Sequence, residues 1–272
     1  MAIDYGEAAY GAQPGTGSRR RRRRARTGRA TAATVLVLGI AGLAVSLTGV
    51  AMQMLPRHFT LHQQQQILDW EAARLWRVLP AGAIFPAVVQ YQPPAMISGD
   101  GLSLSASRVG IARQASCRAA TDPAVAAVLT RNGCQAMLRA TYVDRTDSFV
   151  VTVGVAAFPG TAQAVAASLQ LGPSTLTGAG GAPVGVRTVE FKNTPAGAFS
   201  NGRRQLSVQQ RAATYVIFYA IGYVGARPFL PVSSDAYAYD EMYSLGAGVT
   251  GAVESALAPS LPQPHCPGTE GC

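Results

Sequence analysis

The chain of 272 residues carries 23 basic and 14 acidic side chains, for a net charge of +9. The excess is uneven: residues 1–57 hold nine arginines against Asp4 and Glu7, so they account for +7 of it and leave +2 for the remainder. A basic chain ordinarily points to nucleic acid, but an arginine run abutting an apolar stretch is explained by membrane topology and anionic headgroups, which excludes nucleic acid as the partner.

Residues 1–29 open on small, polar, Gly-rich sequence that cannot bury enough surface to fold, so they are expected to form a disordered cytoplasmic tail. The tail ends in Arg19, Arg20, Arg21, Arg22, Arg23, Arg24, Arg26 and Arg29. Residues 30–56 then run without a charge. At about 1.5 Å per residue, an apolar helix of roughly 20 residues crosses a bilayer, and this run is long enough. Eight arginines before it and Arg57 alone after it place the N-terminus in the cytoplasm by the positive-inside rule. The reading is a single-pass signal anchor in the cell membrane, with the rest of the chain extracytoplasmic. A cleaved signal peptide is the competing reading, but its apolar core is about 7 to 15 residues and its small-residue exit would have to be Gly49-Val50-Ala51, near the far end.

Residues 57–82 read as a juxtamembrane helix, because Leu61, Leu68, Ala72, Leu75 and Leu79 fall on one stripe and Pro80 and Gly82 end it. It either lies on the following domain or serves as a stalk. Trp70 and Trp76 are expected to anchor the core. His58 and His62 stand four apart, without a third ligand nearby, and read as interfacial polar side chains.

Residues 83–258 are expected to form the folded domain. Ala83–Tyr91 and Leu102–Ile111 read as strands, and Asp122-Pro123 starts a short helix that Asn132-Gly133 stops. Gln135–Val143 and Phe149–Ala156 form a hairpin around Asp144–Ser148, followed by a helix from Thr161 with Val165 and Leu169 on one face. After the Gly-rich loop 172–183, strands are expected at Val184–Phe191, Gln205–Gln209 and Thr214–Val224, then a long helix from Asp235 to Leu257. The fold class is α+β: an antiparallel sheet with helices packed on one face, built from two strand-strand-helix units. Residues 259–272 form a Pro/Gly-rich tail.

All four cysteines, Cys117, Cys134, Cys266 and Cys272, fall beyond the expected span. An even count in an oxidising compartment reads as two disulfides; of three connectivities the local one, Cys117 with Cys134 and Cys266 with Cys272, is preferred. Zinc at His265 and Cys266 is the rival and lacks the paired short cysteine spacings.

Catalytic signatures are scarce. Residues 63–264 hold no histidine, and Lys192 is the only lysine. Gly246, Gly248 and Gly251 have dinucleotide-loop spacing, but they fall inside an expected helix and read as close packing instead. Asp144, Asp147 and Ser148 could offer oxygens to calcium, although turns use the same residues. Glu190, Glu241 and Glu254 are carboxylates that nothing in the sequence brings together. No cofactor or metal is expected.

The run Gly133–Tyr142, with Val151–Val155 and Ile221–Tyr223, resembles a group of uncharacterised actinobacterial membrane-anchored proteins over about residues 84–258. The resemblance implies compartment and fold, and no activity. The expected function is a non-catalytic envelope module that binds a protein partner or assembles with copies of itself. The alternative is a ligand-sensing or hydrolytic domain with a site between sheet and helices.

Overall fold

The structure, a computed structural model, describes residues 60–94, 102–225, 227–230 and 236–259, all within one compact unit, Phe59–Gln263. The expected tail, arginine block and membrane span, and the C-terminal segment with Cys266 and Cys272, lie outside the described residues. Among the described residues no helix is long and apolar enough to cross a membrane.

Helix α1 (Leu61–Val78) starts with a reciprocal cap between Thr60 and Gln63. Its second half lies on the domain: Ala72 and Trp76 are buried, and the Tyr215 hydroxyl donates to the Ala72 carbonyl. Trp70 departs from the expectation at 61% exposure. It lies about 200° around the helix from Ala72, so burying one turns the other outward, and the Arg74 guanidinium sits 4.4 Å over its ring.

A helical turn, α2 (Ala81–Ile84), precedes strand β1 (Val88–Tyr91). Pro86 splits the longer strand expected here. Strand β2 (Leu104–Ile111) is followed by helices α3 (Cys117–Ala120) and α4 (Pro123–Arg131). The hairpin β3 (Ala136–Asp144) and β4 (Phe149–Ala157) leads into α5 (Thr161–Leu171). Strands β5 (Leu206–Ala212) and β6 (Tyr215–Tyr223) precede α6 (Ala236–Ala256). The six strands form one antiparallel sheet in the order β1-β2-β3-β4-β6-β5.

Helices cover both faces of this sheet, not one. On the first face, Tyr142, Val153, Ile217 and Tyr219 pack with Trp76 of α1 and with Met242, Leu245 and Val249 of α6. On the second, Met137, Ala156, Val216 and Phe218 pack with Val125 and Leu129 of α4 and Ala164 and Ala167 of α5. Alternate residues of β4 and β6 are therefore buried on both sides, and no polar face remained in the sequence to show a covered side. The order strand-strand-helix does recur, but α5 and α6 go to opposite faces, so the two units are not superposable copies. Helix α5 also turns its alanines inward and leaves Leu169 76% exposed, because small side chains let it approach the sheet.

Residues 183–191 are not a strand. They form an extended strap over the second face, with Val186 on Gly154 of β4 and Phe191 on Gly110 of β2. Side chains fasten it: the Thr141 hydroxyl donates to the Val189 carbonyl (3.0 Å), the Val189 N–H donates to the Thr152 hydroxyl (3.3 Å), and Arg139 Nη1 donates to the Arg187 carbonyl (3.1 Å). Asp122 belongs to the same fastening. It makes no side-chain cap on α4; its carboxylate accepts from the Gly185 N–H (2.9 Å) and from Arg204 Nη1 (2.6 Å).

Candidate functional site

Strand β1 is bounded by Pro86 on one side and Pro93-Pro94 on the other, which limits it to four residues. It pairs with β2, and no strand lies on its outer side among the described residues. Ala87 accepts from the Arg108 N–H, and Ser105, opposite Gln90, directs its carbonyl the other way, to the Arg145 N–H. By antiparallel alternation, the peptide groups of Val88 and Gln90 therefore face outward. The opposite edge differs. There Leu176 N–H donates to Ser207 (2.8 Å) and Gln209 N–H donates to Ser174 (2.7 Å), so residues 174–177 cover β5.

Helix α6 runs close beside β1, because Gly248 has no side chain: a Cβ there would stand 2.5 Å from the Tyr91 Cβ. Where they meet is a groove of about 520 Å³, with Gln90, Gln92 and Ser103 on the sheet side and Tyr243 and Ser244 on the helix side. No charged side chain lines it. Tyr91 forms its floor, and burial, then the charges of Asp144 and Glu241, push its hydroxyl pKa up, so it stays protonated. The half-exposed Tyr243 ring stands edge-on to Tyr219 at 6.5 Å. Main-chain donors and acceptors, amides and a phenol ring make a surface that can add an extended peptide.

No family model, no curated protein and no solved structure matches the chain. The reading of the groove therefore rests on its own geometry.

The structure forms the Cys117–Cys134 disulfide, with Cα atoms 6.3 Å apart, tying α3 to the start of β3. Cys266, Cys272, His265, His58 and the eight arginines of the tail lie outside the described residues. His62 meets the Gln66 side chain at 3.0 Å. Asp144 is a turn residue: its carboxylate accepts from the Phe149 N–H (2.6 Å) and the Thr146 N–H (2.8 Å), while Asp147 takes a left-handed φ of 52°. Among the described residues no three His, Cys, Asp or Glu side chains gather as a metal site.

The three glutamates stay apart. Glu190 is on the strap, and Glu241 and Glu254 lie at the two ends of α6, roughly 20 Å apart along the helix. Burial first, and Asp144 second, push the Glu241 pKa up. Gly246 packs on the Tyr219 ring as Gly248 does on Tyr91, while Gly251 meets open space. Gly178–Gly181 is a tight loop turn, with Gly178 N–H donating to Ala182 (2.8 Å). Sequence reasoning did not single out Gln90 or Tyr243. The signal for Gln90 was present in the prolines flanking β1, which mark an edge strand.

Proposed function

We propose that this chain is a membrane-tethered, extracytoplasmic, non-catalytic module of the cell envelope that binds an extended segment of a partner protein along β1. The tether rests on the apolar run 30–56 and its arginine flank. The observation that carries the binding reading is the β1 edge, unpaired by any strand among the described residues, beside an uncharged groove. An exposed edge with unpaired peptide groups is a template for strand addition. Its lining has no charge with which to select a small ionic ligand.

The test uses the full chain in its own membrane, with a photo-crosslinking residue at Val88. Crosslinking is expected to join the chain to a second protein, and Gln90→Pro, which removes an outward N–H without touching the β2 ladder, should abolish the product and leave thermal stability unchanged. A product of twice the chain's mass assigns the edge to a second copy of this protein. Crosslinking that persists in the proline variant refutes strand addition.

A further inference from the structure

The loop closed by the Cys117–Cys134 disulfide carries a second concave surface, on the face of the sheet away from the β1 groove. Arg118 of α3, Arg131 and Thr130 at the end of α4, and Arg187 of the strap line a cleft of about 490 Å³. Its apolar lining is Pro123, Ala126 and Ala127. Three separate segments are held together here. The disulfide fixes the residue before Arg118 to one three places after Arg131, and the Arg187 N–H donates to the Ala120 carbonyl (2.8 Å).

The cleft's positive charge is not neutralised from within. Asp122 is the only acid in an ion pair among the described residues. Its carboxylate is already occupied by Arg204 Nη1 at 2.6 Å and by the Gly185 N–H at 2.9 Å. Arg187 Nε approaches no nearer than 3.9 Å. The side chains of Arg118 and Arg131 have no hydrogen-bond or ion-pair partner among the described residues, and both residues are exposed. Arg139, which donates to the Arg187 carbonyl, has a buried Nε without a partner among the described residues. Burial, and then the charge of Arg187, push its pKa down.

We propose that this cleft is an anion site that takes a phosphate group, held by Arg118, Arg131 and Arg187. A carboxylate offers two oxygens and is matched by one guanidinium fork, whereas a phosphate offers three or four and can be shared by several. Three arginines around one space hold more donors than a carboxylate can accept. The apolar side chains beside them offer a surface to the organic part of a phosphate ester. This site is independent of the β1 groove, and neither reading needs the other.

Inorganic phosphate and a short-chain phosphatidylglycerol are titrated separately against the oxidised full chain in detergent at low ionic strength, read by calorimetry. Saturable binding is expected and should weaken as salt is added. Arg118→Gln with Arg131→Gln should lower affinity by about tenfold or more, since each removes a charge-assisted contact. Arg113→Gln, an exposed arginine outside the cleft, should leave it unchanged. Tighter binding of inorganic phosphate identifies a free anion as the ligand; tighter binding of the lipid identifies a headgroup. If neither probe saturates, or the double variant binds like wild type, the site is refuted. A second measurement needs no variant: the probe that binds more tightly should protect Arg118 and Arg131, but not Arg113, from phenylglyoxal, mapped by peptide mass. Equal modification with and without that probe also overturns the proposal.

Discussion

On one face of the sheet, Ile217, Tyr219 and Val153 meet Met242, Leu245 and Val249 of α6 through apolar contact. On the other, the strap is tied down by Thr141, Thr152, Arg139 and Asp122, and the helices before it by a disulfide. The first arrangement is non-directional and depends on buried area and fit. The second depends on a few bonds of fixed geometry, each of which fails when one partner is lost. It also leaves arginines gathered at the surface around one cleft, whereas the groove on the apolar face has no charged lining. The two faces should therefore respond to different insults.

Breaking the apolar face should cost most. Tyr219 is 2% exposed and its ring lies under Gly246, so Tyr219→Ala should destabilise by roughly 3–5 kcal/mol in denaturant melts, as for other buried aromatic truncations. Its hydroxyl has no hydrogen-bond partner among the described residues. Tyr219→Phe should consequently melt close to wild type. A large loss in the phenylalanine variant would show that the hydroxyl is bonded and that this face is not held by apolar contact alone.

The disulfide sharpens the contrast. Cys117→Ser with Cys134→Ser opens a loop of 17 residues, worth about 3 kcal/mol in the chain-entropy model. The loss should be local in hydrogen exchange: amides of Arg187 and Val189 should lose protection while those of β6 keep theirs. Uniform loss over both faces would mean that the sheet unfolds as one unit.

Much of the first face was legible in the sequence. Tyr215, Ile217, Tyr219, Ile221 and Tyr223 alternate on β6, and the β3–β4 hairpin shows its turn in Asp144 and Ser148. On the second face the Cys117–Cys134 pairing and the helices that start at Asp122-Pro123 and Thr161 were legible too, but the strap was not. Val184 and Val186 alternate as a strand would, but the strap crosses the strands it covers and takes its bonds from side chains distant in sequence. Asp122 looked like a helix cap because the Asp-Pro pair fits one, and only the fold shows its carboxylate drawn to Arg204. The β1 edge was half legible: prolines mark an edge strand, but the strand order that puts β1 outermost among the described strands is a long-range property.

The smallest expected effect is at the border of the apolar face. Glu241 of α6 is partly buried, and burial, then the Asp144 carboxylate of β3, push its pKa up; Tyr91 of β1 faces the same pair. A carboxyl whose pKa is higher in the folded state binds its proton more tightly there. Its favourable contribution is present below about pH 4, where it is protonated in both states, and is lost as pH rises through the folded value. At pH 7 the ionised group works against the fold. Glu241→Gln should thus raise Tm at pH 7 by about 1 °C, small because solvent screens a half-exposed charge. The advantage should vanish in melts near pH 4. A lower Tm for the glutamine variant at pH 7 would mean that the carboxylate accepts a bond in the fold, and that α6 meets β1 through an ionic contact as well as through Gly248.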